Sequence, residues 1–401
     1  IYHRPYRGPD GPVIMNKRVS TSSVLMRSRQ RGLSLIELMI ATTLGLIIVA
    51  AMTQLYGDVV GANREMAKTN SQIENARFAI QLLRNDIVHG GYWGPHAPDY
   101  DNLMVPGVPN DKPTVVPDPC LAYASWGSLT GPVIYSMIGI PVQAYEGSPS
   151  ANCNTLLTGE LTTAGTDVLV VRHADTCVAG GTNCAADTSG PVYFQASNCL
   201  AELSVPPYYQ LGDTAFTRTE RDCSTIAAKR RFVQNIYFIK NNAQGIPSLY
   251  RSEYGLPGGT PGQLTAQELI PGVDRFRVEL GFDTVSESGD VLTSLDYDDA
   301  VDWQDPAVWD VATNRGDGIP DGAFVHCSSG TPCTAFQLTN TVAAKIYILA
   351  RADQPSPGYT DSKTYNLGTL TNVGPFNDNY KRHVFSTTIR INNVSARRET
   401  P

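Results

Sequence analysis

From Leu33 to Tyr56 every residue is uncharged except Glu37. That run exceeds the roughly 20 residues a helix needs to span a bilayer. Past Tyr56 the chain turns polar but keeps helical spacing. Ile73, Ile80, Leu83 and Ile87 recur at steps of seven, three and four, with Phe78 and Leu82 beside them, while Arg64, Glu65, Lys68, Glu74, Arg77 and Arg84 line the other side. This reads as one helix with one apolar stripe, ending at His89-Gly90-Gly91, where glycine supplies a left-handed cap. Such a helix is roughly 85 Å long at about 1.5 Å per residue. No proline interrupts it, and Gly45, Gly57 and Gly61 are its soft points.

Beyond residue 91 the period shortens. The best strands are 167–174, 230–240, 273–282, 341–351 and 383–393, all β-branched or aromatic. A hairpin is expected around Asn242-Ala243-Gln244-Gly245, and a corner at Pro271-Gly272. The stretches 91–165 and 283–338 read as long loops rich in Gly, Pro and Asp. The expected fold class is α+β: a long N-terminal helix packed on a mainly antiparallel sheet body with long, disulfide-bearing loops.

Charge gives the apolar run an orientation. Arg27, Arg29 and Arg31 precede it, Lys17 and Arg18 lie further upstream, and no such cluster follows closely. The positive-inside rule then puts the N-terminus in the cytoplasm and the body outside. A cleaved signal peptide is the alternative, with Val49-Ala50-Ala51 as its cut site and a mature chain beginning near Met52. Against it, the run is long for a signal core, carries a carboxylate, and continues into the helix without a turn.

Composition agrees with an exported body. All eight cysteines (Cys120, Cys153, Cys177, Cys184, Cys199, Cys223, Cys327 and Cys333) lie after the apolar run, and none forms a CxxC. Cys177 with Cys184 and Cys327 with Cys333 bracket short loops and are the first candidate pairs. The remaining connectivity is open, and buried thiols are the alternative. A net charge of -7 argues against a nucleic-acid partner, which needs a basic face. Charged residues are 17 % of the chain, below the roughly 25 % usual for soluble domains, and 35 Gly with 27 Pro suit a turn-rich β body.

Catalytic chemistry has no foothold in the pattern. None of the six histidines stands at HExxH spacing, and there is no Gly-x-Ser-x-Gly elbow or Walker-type loop. His326-Cys327 with Cys333 lacks the paired spacing of a zinc site. No enzyme activity and no cofactor is expected, with one candidate to weigh. The acid-rich stretch carrying Asp296, Asp298, Asp299, Asp302, Asp305, Asp310, Asp317 and Asp321 contains TNRGDGIPDG, which resembles the calcium loop DxNGDGxxDG. Asp317 and Asp321 would be the metal ligands. Thr313 and Arg315 stand where acidic or amide ligands are wanted, so a solvated acidic loop is the competing reading.

Gly32 followed by LSLIE, basic residues before it and a long apolar helix after it resemble the signal of type IV prepilins. The resemblance implies cleavage between Gly32 and Leu33 by a prepilin peptidase, methylation of the new Leu33 amine, and retention of the apolar segment. Most relatives carry Phe at the position of Leu33. It also implies a role for Glu37 in assembly, by pairing with the N-terminus of a neighbouring subunit, a contact that low dielectric strengthens. LLRNDIVHGGYWG, DVLVVRHA, VDRFRVELGFDT, AAKIYILAR and KRHVFSTTIRINN then follow in the order seen in the PilW family of minor pilins.

That family implies an inner-membrane subunit with a periplasmic body. The resemblance further implies that it primes or caps the pilus in a tip complex, alongside other minor and major pilins, with the prepilin peptidase and an assembly platform as further partners. The related J-type secretion pseudopilin is the alternative; its body is usually much smaller. The chain then divides into a leader (1–32), a membrane or filament-core helix (33–57), an amphipathic second half (58–90) and a β-rich domain (91–401). Residues 1–25 do not fit a short leader that starts at Met26. They read as upstream translation or a misplaced start, disordered if made.

Overall fold

The structure is a computed structural model and describes residues 32–98, 100, 111–127, 130–155, 166–205, 208–293 and 316–399. The readings for residues 1–25, for Asp296 to Asp310, and for Thr313 and Arg315 lie outside the described residues. The chain divides into two units, Ile1–Ala62 and Asn63–Pro401. Helix α1, Leu35–His89, supplies residues to both.

In the first unit α1 carries apolar side chains that are exposed on every side, among them Leu35, Ile40, Leu46 and Tyr56. An 18-residue window there has a mean hydropathy of 2.3 with none of it buried, long and apolar enough to cross a membrane. A helix apolar all round has no sheet to face and fits a lipid or helical surround.

The second unit holds the rest of α1, the short helices α2 (Pro132–Gly139), α3 (Leu200–Leu203), α4 (Ala335–Thr339) and α5 (Asn392–Arg398), and three antiparallel sheets. Its strands are β1 (Val142–Glu146), β2 (Asp167–Val178), β3 (Tyr193–Ala196), β4 (Tyr209–Gly212), β5 (Lys229–Asn241), β6 (Pro247–Gly255), β7 (Gly262–Gln263), β8 (Gln267–Pro271), β9 (Val273–Phe282), β10 (Thr341–Arg351), β11 (Tyr365–Leu367), β12 (Leu370–Val373) and β13 (Arg382–Arg390). The largest sheet runs β1-β2-β5-β3-β4, with β6 on β5 and β7 and β8 on β6. A second runs β13-β10-β9, and β11 with β12 forms a hairpin.

The five strands read from the sequence are present. The hairpin forms where expected: the Asn242 side chain accepts from the N–H groups of Gln244 and Ile246, both at 3.0 Å, and Gly245 takes φ 74°. At the β8–β9 corner Gly272 has φ 79°, and a Cβ there would sit 2.8 Å from the Arg351 carbonyl, so glycine is required.

Several sequence readings need correction. The stretch 91–165 is more than loop, since it forms α2 and β1. PVIYSMIG has one small polar side chain, Ser136, in an otherwise apolar or aromatic run, so α2 shows no period to read. Within 283–338 the helix α4 is closed by a Thr334–Gln337 capping box. The last strand stops at Arg390, and Asn392 to Arg398 turns into α5.

The stripe on α1 is also rotated from the one expected. Its buried residues are Gln72, Ala76, Ala79, Leu83 and Ile87, whereas Ile73, Ile80 and Leu82 are half-buried and Phe78 is exposed. Ala76 and Ala79 are fully buried on this face. Leu83 and Ile87 then join Ile140, Val142, Leu169, Phe276, Ile346 and Ile389 in the main core. Each such side chain contributes about 1.5–3 kcal/mol on burial.

Candidate functional site

The sequence places the candidate assembly site at the N-terminal end of α1. Ser34 is its cap: its carbonyl accepts from Leu38 N–H at 3.0 Å and its hydroxyl from Ile36 N–H at 3.3 Å. Glu37, three residues on, reaches back so that Oε2 accepts the Ser34 N–H at 2.9 Å. This is half of a capping box, a local role that the sequence reading missed although S-x-x-E was there to be read. The carboxylate also sits in the first turn, where the helix dipole favours negative charge. Leu33 is exposed, and a Cβ at Gly32 would meet no other atom within 4 Å. No described residue therefore demands glycine at position 32 by packing.

The second half of α1 is held by polar groups, of which only Glu65 and Lys68 were placed on the polar side by the sequence pattern. Asp86 is the centre of one latch. Its carboxylate accepts from His173 Nε2 at 3.1 Å, Asn235 Nδ2 at 3.0 Å and the Tyr237 hydroxyl at 3.0 Å, tying α1 to β2 and β5. Burial alone would lower the pKa of His173, but the hydrogen bond and the charge of Asp86 outweigh it and raise it.

A second latch lies one end earlier. Glu65 accepts from Lys381 Nζ at 2.6 Å, Ser356 Oγ at 2.7 Å and Lys68 Nζ at 2.9 Å. Those bonds, Lys381 first, draw its pKa down to about 2. Between the latches Gln72 donates to the Ala350 carbonyl at 2.5 Å and Asn75 to the Pro271 carbonyl at 3.3 Å. Gln72, Ala76, Ala79, Leu83 and Ile87 share one face at steps of four and three. That spacing was the signal that could have placed Gln72 inside.

In the body the structure joins Cys120 to Cys153, Cys177 to Cys184, Cys199 to Cys223 and Cys327 to Cys333. The two short loops singled out from spacing are closed, and the two wider pairs are those that spacing left open. Among the described residues the one three-ligand group of metal-binding type is Asp118 with Cys120 and Cys153, and both sulfurs are committed to the disulfide.

Asp317 and Asp321 are spent on backbone amides. Asp321 Oδ2 accepts from Thr284 and Val285 N–H at 2.6 and 2.7 Å, and Asp317 Oδ1 from Ile319 N–H at 2.8 Å. The buried acid beside them is Asp283, whose carboxylate accepts from Asp317 and Gly318 N–H and from Arg398. Burial pushes its pKa up to about 6. Its place in the loop left no trace in the pattern of acids.

The body also contains a second, aromatic core. Trp93, Trp126, Phe194, Phe232, Tyr209 and Tyr254 pack together, with the Trp93 indole donating to the Ile138 carbonyl at 3.0 Å. The residues with a sequence-level role are instead Gly32, Leu33 and Glu37.

A signal of this form, continuous with a long apolar helix and followed by an antiparallel, disulfide-linked body, defines a type IV pilin. Residues 27–53 match the family model described as Prokaryotic N-terminal methylation motif. Residues 236–393, from within β5 to just past β13, match that of PilW, Type IV Pilus-assembly protein W. With both matches the chain is PilW-like, a type IV minor pilin with a prepilin signal. No curated protein matches it. Among solved structures it is similar to a type IV-like pilin from Thermus thermophilus at 11 % identity, covering 80 % of this chain and 97 % of that one with a TM-score of 0.29. So loose a likeness adds nothing to the strand order already described.

Proposed function

We propose that this minor pilin is cut between Gly32 and Leu33, methylated on the Leu33 amine, and drawn from the inner membrane into the pilus, where it primes assembly as part of a tip complex. In this reading residues 1–32 are the leader, 33–57 the membrane and then filament-core helix, 58–90 the half that carries the body, and 91–401 a periplasmic domain. The reading rests above all on one observation: α1 is exposed and apolar through its first half, with a single carboxylate, Glu37, in its first turn. A membrane-length helix that served only as an anchor has no use for that charge, which costs about 2.5–3.5 kcal/mol at a bilayer centre and less near the interface.

The glycine supports it further. Since a Cβ at Gly32 would meet no atom within 4 Å among the described residues, we assign the requirement to the peptidase. Gly32→Val should leave an uncut precursor in the inner membrane, read by mass spectrometry of the N-terminal peptide. A wild-type mature chain that begins near Met52 refutes the reading.

The body acts by contact rather than by catalysis, with other pilus subunits, the prepilin peptidase and the assembly platform as partners. For Asp317 and Asp321 the hydrogen bonds they already make favour a loop ordered without a metal. Millimolar calcium should then leave the melting temperature of the body unchanged. A rise that Asp317→Ala abolishes would assign the loop to calcium.

A further inference from the structure

The β13-β10-β9 sheet has two edges, and the chain treats them differently. Along β9 three alternate outward positions are filled. Val278 N–H donates to the Asp167 carboxylate at 2.8 Å, Leu280 exchanges two backbone bonds with Val325 at 2.8 Å each, and the Phe282 carbonyl accepts from Asp321 N–H at 2.7 Å. Along β13 no group among the described residues takes the equivalent places.

The register shows which groups stand open. β13 pairs with β10 through nine consecutive positions, from Ala343 with Arg390 to Arg351 with Arg382, without a bulge. Just beyond one end Ile391 N–H donates to the Val342 carbonyl at 2.8 Å, and just beyond the other Ala352 N–H donates to the Lys381 carbonyl at 2.9 Å. Bonding alternates along an antiparallel ladder. His383, Phe385, Thr387 and Ile389 therefore bond β10, and the N–H and C=O groups of Val384, Ser386 and Thr388 point outward. Sheet proteins ordinarily blunt such an edge with charge, proline or a bulge. From Val384 to Ile389 this strand has none of the three.

We propose that the outer edge of β13 receives an extended segment of another pilus subunit, which adds a strand to this sheet by bonding the backbone of Val384, Ser386 and Thr388. The partner identity rests on the pilin reading above; the open edge does not. One face of β13 carries Phe385, half-buried with its ring 4.8 Å from that of His383, and the other carries the Ser386 and Thr388 hydroxyls. The segment it fits alternates apolar with small polar side chains. A second copy of β13 offers the same alternation, and Arg382 and Arg390 would not repel it because each is already paired with carboxylates, so self-pairing is read by the dimer outcome of the test.

The test is Ser386→Pro in the full chain, with Ser386→Ala beside it. Proline removes an outward N–H and leaves the ladder to β10 intact, as prolines on strand edges do; alanine keeps the N–H and removes only the hydroxyl. We expect both variants to be cut at Gly32 and to melt near wild type. The proline variant should fall at least tenfold in sheared pili, and the alanine variant should not. In the unaltered protein the Val384, Ser386 and Thr388 amides should exchange quickly in the purified chain and at least tenfold more slowly in pili. That comparison decides the matter even if the proline variant unfolds. Wild-type incorporation of a folded Ser386→Pro, or amides already protected in the purified chain, overturns the proposal. A concentration-dependent dimer of the purified chain that Ser386→Pro abolishes overturns the choice of partner. A wild-type chain left uncut and absent from pili sinks the pilin reading instead, which is a different result.

Discussion

Up to Ala62 and beyond Asn63, α1 has the same backbone and opposite surfaces. The first half exposes large side chains such as Leu46 and Tyr56, at 70 % and 71 %. The second half buries Ala76, Ala79, Leu83 and Ile87 completely and adds the Asp86 and Glu65 latches. Hydrophobicity and burial have thus separated within one helix. Where the partner is a sheet of the same chain, small residues and aimed polar groups do the binding. Where it lies outside the chain, large apolar residues cover every side, since one helix must suit lipid and then neighbouring helices.

The comparison breaks most sharply on truncation. Leu83→Ala should cost the body about 2–5 kcal/mol, because it opens a cavity between α1 and the sheets. Leu46→Ala should change the same urea-unfolding free energy by less than about 0.5 kcal/mol. Equal losses would mean that the first half of the helix is part of the body's core.

The first half of α1 was legible because one property, hydropathy, carries its role. The five long strands were legible for a similar reason, since β-branched runs such as TVAAKIYILAR leave little choice of period. The second half was harder to read because its contacts depend on where the sheet lies. Ile73 and Phe78 look like core by residue type, yet Ala76 and Ala79 are what fit. Asp86 looks solvated, and only the placement of His173, Asn235 and Tyr237 makes it a latch. The wider disulfides and the Asp283 loop are long-range facts with no local pattern. At the candidate site Gly32, Leu33 and Glu37 could be named from a short motif, but the bond from Ser34 to Glu37 had to be seen in place.

A smaller effect, confined to acid, separates the body from the helix by pH. His96 is buried against Tyr209, with ring centroids 4.5 Å apart. Burial first, and then the charge of Arg397, lower its pKa from 6.5 to about 3. The unfolded chain therefore binds a proton that the folded one refuses across that range. Stability should fall as the pH drops from about 6.5 towards 3, with no contribution from His96 above that window. His96→Phe should flatten this limb in urea titrations at successive pH values. An unchanged acid limb would mean that His96 is charged in the fold. His173 works the other way: its raised pKa adds stability at low pH that is lost as the pH rises through its folded value.

The smallest effect on stability, and the sharpest test of assembly, concerns Glu37. Its carboxylate has two candidate uses: it closes the first turn by accepting the Ser34 N–H, and it offers a negative charge to a neighbour's amine. Two variants separate them. Glu37→Leu removes both uses, and also removes a charge that the membrane disfavours, so insertion and cleavage should proceed at least as well as in wild type. Glu37→Gln keeps an acceptor for the Ser34 N–H, as glutamine does in a capping box, and removes only the charge. Neither should shift the melting temperature of the body. If the ion pair recruits the subunit, both variants should be cut, remain in the membrane and be missing from sheared pili. If only the cap matters, Glu37→Gln should enter pili like wild type and Glu37→Leu should not. Normal incorporation of both would leave Glu37 with no part in assembly and reduce the first half of α1 to an anchor.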